Sequence, residues 1–158
     1  MRILSYISFF LIIIILLSCS TTKSLETSSL TTYDISELDS LVEQADRPIV
    51  IFIHAEWCTY CRNMEHTTFR NEDIKKLLMS KYHFVSFDGE DKRSLKFDGN
   101  MFTYKPHGNT SGTNELTQLL AEVDGELSYP TLVIMTPSRK IVERYNTFLS
   151  SEHLLEIL

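Results

Sequence analysis

Three cysteines in 158 residues are too few to staple a small domain, and no second C-x-x-C pair accompanies Cys58 and Cys61. Disulfide-dense scaffolds carry several pairs, so this domain must hold itself together by packing. A basic stripe is also missing. Fifteen Lys and Arg stand against 21 Asp and Glu, a formal net charge of -6, and nothing is arranged to neutralise phosphates, which excludes nucleic acid as a partner. No apolar run reaches the roughly 20 residues that span a bilayer comfortably. The longest, Ile3 to Leu17, follows Met1-Arg2 and is interrupted by Ser5, Tyr6 and Ser8; it reads as the core of a signal peptide. No internal repeat is present.

The apolar run ends in Leu16-Leu17-Ser18-Cys19, which resembles the bacterial lipobox. That resemblance implies cleavage after residue 18, lipid on the sulfur of Cys19, and anchoring to the inner or outer membrane of a cell envelope, with the domain in the periplasm. Several acyl chains together hold firmly where one binds only marginally. Loss of Arg2 with the leader leaves 14 basic against 21 acidic residues, a charge of -7. Residues 19–32 continue as STTKSLETSSLTT after the cysteine, a polar tether with little to bury. Residues 33–158 remain for one domain.

Within that domain Asp34 and Glu37 form a capping-box pattern ahead of Ile35, Leu38, Leu41 and Val42 at helical spacing, and Asp46-Arg47-Pro48 ends the helix. Ile49 to Ile53 is continuously β-branched or aromatic, the pattern of a strand buried on both faces. Beyond the cysteines Met64, Phe69, Ile74, Leu77 and Leu78 form an interrupted stripe, with a kink near Thr67-Thr68 and Asn71 restarting a second helix. Tyr82 to Phe87 reads as the next strand. Residues 91–112 read as an insertion: a hairpin around Asp98-Gly99-Asn100, then a polar loop. Thr113 caps a helix from Asn114 to about Val123 with Leu116, Leu119, Leu120 and Val123 on one face. Strands TLVIM and KIVERY and a helix from Ser150 or Ser151 to Leu158 close the chain. The order predicts an α/β fold, a central mixed sheet flanked by helices, with parallel crossovers and a final antiparallel pair.

Cys58 and Cys61 sit where the first buried strand passes into a helix. The same spacing serves a zinc half-site, a haem attachment point, a static disulfide and a redox dithiol. Haem attachment wants His after the second cysteine, and residue 62 is Arg. Structural zinc normally takes four ligands, so two of His54, His66, His83, His107 and His153 would have to converge. A static disulfide remains the serious alternative. At a helix start, unpaired N–H groups and the positive end of the dipole favour a Cys58 thiolate, and Cys61, one turn on, is within reach to resolve a mixed disulfide.

The strand, the Ala55-Glu56-Trp57-Cys58-Thr59-Tyr60-Cys61 junction and the distant Tyr129-Pro130-Thr131 together resemble the thioredoxin superfamily over roughly residues 33–158. Within it the chain looks most like thioredoxin-like envelope lipoproteins and the periplasmic domain of membrane disulfide reductases; Gly108, Asn114-Glu115-Leu116 and Ser128-Tyr129-Pro130-Thr131 are also similar to lipoproteins of Bacteroidetes-like bacteria. The resemblance implies a thioredoxin-like fold whose insertion precedes a cis-Pro strand, and thiol–disulfide oxidoreductase activity on protein disulfides. It assigns capture to Cys58, resolution to Cys61, and a bend presenting substrate to Tyr129 and Pro130. Trp57 packs beside Cys58 as shield and docking surface, while Glu56, Thr59 and Tyr60 modulate. No cofactor or metal is expected. The implied partners are client disulfides, a membrane or soluble electron-donor thiol protein, and the membrane through Cys19, the domain itself being a monomer. The alternative is a polypeptide-binding or chaperone module with a secondary dithiol. One departure matters. The buried Asp that typical members carry six residues before the first cysteine is Phe52 here, which leaves His54, Glu56, Glu65 and His66 as the nearest titratable groups.

Overall fold

The computed structural model describes residues 29–44, 46–108 and 110–158. The signal segment, Cys19 and most of the tether lie outside the described residues. A short strand β1 (Tyr33–Asp34) leads into a 3-10 turn and helix α1 (Leu38–Gln44). The capping box forms as expected: Asp34 accepts from the Ser36 N–H and Glu37 accepts from the Asp34 N–H. The strand itself was not expected. Its two residues are too few to carry a period and are held by parallel pairing of Tyr33 with Val85 and Asp34 with Ser86.

Strand β2 (Ile49–His54) is followed by α2 (Thr59–His66), a 3-10 turn at Thr68–Arg70, α3 (Glu72–Lys81) and β3 (His83–Asp88). Asn71 caps α3 through its side-chain oxygen, which accepts from the Asp73 and Ile74 N–H groups. Two hairpins follow, β4 (Leu95–Phe97) with β5 (Asn100–Phe102), and β6 (Tyr104–His107) with β7 (Ser111–Asn114). Helix α4 (Glu115–Ala121), strands β8 (Thr131–Met135) and β9 (Ile141–Tyr145), and helix α5 (Ser151–Ile157) complete the described chain. The sheet order is β1-β3-β2-β8-β9, with β2 central, parallel to β3 and antiparallel to β8.

Three expectations need correction. The polar loop after the first hairpin is itself a hairpin, because Tyr104 to His107 pair in register with Ser111 to Asn114. Polar residues on a hairpin exposed along one side carry no apolar alternation to reveal it. The cap of α4 is Asn114, whose side-chain oxygen accepts from the Leu116 N–H, not Thr113, which pairs with Lys105 within the hairpin. That helix is also shorter than expected; it buries Leu116, Thr117, Leu120 and Ala121, while Leu119 and Val123 are exposed.

Helices α1 and α4 cover one face of the sheet, packing on Ile49, Ile51, Ile53, Val85 and Val133. Helices α2, α3 and α5 cover the other, with Val50, Phe52, Phe84 and Leu132 beneath them. The strict alternation along β2 sends its odd and even residues into different cores. Both cysteines belong to the second.

Candidate active site

The α2 N-terminus is built on Ala55, whose carbonyl accepts from the Cys58 N–H at 3.0 Å and turns the chain out of β2. Cys58 is the helix N-cap, with extended backbone, and its Sγ accepts from the Cys61 N–H at 3.0 Å. The two sulfurs are bonded to each other, Sγ–Sγ 2.04 Å. The sulfur therefore stands where capping oxygens stand in other helices, at the positive end of the backbone dipole. Neither sulfur-bearing residue is exposed: Cys58 is 3 % accessible and Cys61 1 %. In the bonded state the first turn folds the Cys58 sulfur back over the helix end, so both belong to the core.

Arg62 laces the turn from outside. Its guanidinium donates to the Glu56 carbonyl at 2.6 Å and to Thr59 Oγ1 at 3.1 Å. Among the expected modulators, Glu56 and Thr59 thus act through backbone and hydroxyl contacts with one arginine. Tyr60 points outward, 66 % exposed, with its ring 6.5 Å from that of Phe148 on the chain leading to α5.

Trp57, next to Cys58 in the chain, stands out from the surface, 64 % exposed. Its indole N–H donates to Glu90 at 2.9 Å and its ring meets that of Tyr129 edge-on at 5.8 Å. The Tyr129–Pro130 bond is cis, as the resemblance implied. Thr131 secures the same loop by donating to the Ser128 carbonyl at 2.7 Å. The Tyr129 phenol lies inside, its oxygen facing Thr113 without a good hydrogen bond. Burial first, then the charges of Glu90 and Asp88, push that phenol above the ordinary range for tyrosine.

Gly89, after Asp88, carries no sequence signal beyond that of a turn residue. A β-carbon there would collide with the hydroxyl and ring of Tyr129, so the bare backbone is what lets this ring reach its seat. Asn114 was likewise missed as a site residue. Its fully buried side chain donates to the carbonyls of Asp91 and Arg93, and its N–H donates to that of Gly89. With Thr117 Oγ1 also donating to the Gly89 carbonyl, the start of α4 holds the β3 exit loop under Trp57. No local signal distinguishes these polar residues from ordinary caps.

The insertion reaches the site. Tyr104 and Thr110 of the second hairpin line a groove of about 860 Å³ with Trp57, Glu56, Asp88 and Glu90. A second cavity, about 450 Å³, opens on the Cys61 side between His54, Glu56, Arg62 and Glu65. Phe52, where the resemblance would place a carboxylate, is buried and stacks against the His54 ring at 5.4 Å and 25°. Of the other histidines, His83 is committed elsewhere, its Nε2 2.7 Å from Asp46. That contact holds the Asp46 carboxyl below its usual range.

A family model described as thioredoxin-like matches residues 32–137. The chain belongs to the thioredoxin-like family. Among solved structures, a thioredoxin from Thermus thermophilus is 19% identical over 82% of this chain and 85% of its own, with a TM-score of 0.57. A structure titled DsbH oxidoreductase is 17% identical over 88% and 89%, with a TM-score of 0.58. A disulphide isomerase from Xylella fastidiosa Temecula1 is 17% identical over 77% and 86%, with a TM-score of 0.52. Identities this low carry the fold alone. No curated protein sequence matches. Family membership and a closed Cys58–Cys61 pair at a helix N-cap support thiol–disulfide oxidoreductase chemistry in this thioredoxin-like chain.

Proposed function

We propose that this chain is a thiol–disulfide oxidoreductase of the bacterial cell envelope, held to a membrane by lipid on Cys19, that reduces disulfides of client proteins. The observation that carries the reading is the N-cap position of Cys58, whose sulfur already accepts a backbone N–H and stands at a helix positive end. Both features stabilise a thiolate. The lipobox pattern and the polar tether support the envelope location.

The reduced pair works in two displacements. The Cys58 thiolate attacks one sulfur of the client cystine; a Cys58–client bond forms and the client's other sulfur leaves with the electron pair, taking a proton from water. Cys61 then gives up its proton and attacks the Cys58 sulfur, which re-forms the intramolecular bond and releases the second client thiolate. The client gains two electrons, and an electron-donor thiol protein must reduce the Cys58–Cys61 bond for the next turnover. Trp57 and Tyr60, exposed on either side of Cys58, are the surface on which the client backbone rests.

Replacing Cys61→Ser tests this directly. The variant should accumulate client proteins bound through Cys58 and released by dithiothreitol, and the wild-type chain should turn over insulin disulfides. Absence of both turnover and trapping overturns the proposal. Clients held equally well after loss of both cysteines would point instead to a polypeptide-binding module.

A further inference from the structure

Loss of the Cys61 proton has no carboxylate at position 52 to receive it, yet the cavity beside that cysteine has a titratable wall. We propose that His54, anchored by Ser86, accepts and returns the Cys61 proton through this cavity; the inference rests on the redox function proposed above. His54 and Cys61 line the same space of about 450 Å³. On the sheet, Phe52 and His54 project to the same side of β2, and the parallel register places Ser86 opposite Phe52. The His54 Nε2 reaches Ser86 Oγ at 3.0 Å, which fixes the ring at the end of the strand. Phe52 fills the space beneath, stacked against the imidazole, so the aromatic that displaces the carboxylate also supports its replacement.

Ser86 in turn lines a larger cavity of about 600 Å³ that shares the Glu65 wall with the smaller one. The His54–Ser86 pair thus joins the sheltered space at Cys61 to a second opening. The other charged groups facing His54 are Glu56 from the turn before the dithiol, Arg62 and Glu65 from α2, and Asp88, its register partner on β3. In the tautomer whose Nε2 donates to Ser86, Nδ1 keeps its lone pair. The proton passes from the Cys61 thiol by way of water to Nδ1, and the Cys61 electron pair then attacks the Cys58 sulfur. When the donor protein re-reduces the pair, the same imidazolium returns the proton to Cys61.

Mixing the reduced full-length chain carrying Cys19→Ser, in which only Cys58 and Cys61 can react, with 5,5′-dithiobis(2-nitrobenzoate) separates the steps. The first nitrothiobenzoate leaves as Cys58 is captured and the second as Cys61 resolves the mixed disulfide. His54→Gln should slow the second release about tenfold, leave the first unchanged, and make the second step less dependent on pH. Ser86→Ala, which frees the ring without removing it, should slow the second release about threefold. Glu65→Gln should leave it within about twofold of wild type. An unaltered second release in both His54→Gln and Ser86→Ala, or a slowing seen only in Glu65→Gln, overturns the inference alone. Absence of both releases from the Cys19→Ser chain overturns the redox function and the inference with it.

Discussion

The face of the sheet under α1 and α4 and the face under α2, α3 and α5 are made of different material. The first is mostly aliphatic and includes Ile49, Ile51, Ile53, Val85 and Val133. The second joins Val50 and Leu132 to Phe52, Phe69, Phe84, Met64 and both cysteines, and the two cavities lined by Phe52 or Cys61 open on its side. One face supplies cohesion. The other gives up some packing to keep sulfur, imidazole and space together.

Ile51 and Phe52, adjacent on β2, belong one to each face, so their truncation breaks the comparison most sharply. Phe52→Ala should cost about 3–5 kcal/mol in urea unfolding, and, by freeing His54, should also slow the exchange reaction in the folded protein. Ile51→Ala should cost about 2–5 kcal/mol with exchange by the remaining folded protein unchanged. Equal effects of both substitutions on exchange would show that the faces are not separate. Gly89→Ala should cost about 1–3 kcal/mol through overpacking against Tyr129, and shift Trp57 fluorescence because the two rings meet edge-on.

The smallest effect lies at the sheet edge, where Arg93 holds the Asp34 carboxyl at a pKa of about 2, with burial opposing the shift. Asp34→Asn keeps a capping side chain and removes the charge. Its side chain is 45 % exposed, so solvent screening limits the loss to under about 1 kcal/mol at neutral pH. Because the folded-state pKa is depressed, the wild-type advantage is complete above about pH 4 and disappears as the pH falls through about 2. Urea unfolding at those pH values measures it.

Elements with a dense local code were legible. The capping box at Asp34, the continuous Ile49 to Ile53 run and the restart at Asn71 each follow from neighbours within one turn or strand, and all three form. The dithiol turn and Pro130 were legible as a pair. The second hairpin was not, since its polar residues offer no periodicity, and Thr113 and Asn114 are equally good caps until the pairing of β7 with β6 fixes the helix start at Glu115. Of the site, Gly89 reads only as a turn residue until Tyr129 arrives from 40 positions away.

The first helix, the buried strand Ile49 to Ile53 and the thiol pair at a helix start were determined by residue type and spacing, because helix capping and strand burial act over a few residues; Pro130 joined them only through the resemblance. The burial of both sulfurs, the contacts of Trp57 with Glu90 and Tyr129, and the groups that share a cavity with Cys61 were decided by the tertiary structure. Those answers depend on which face a strand residue enters and which loop is laid across it, and that is settled by the sheet register and the crossovers between distant segments.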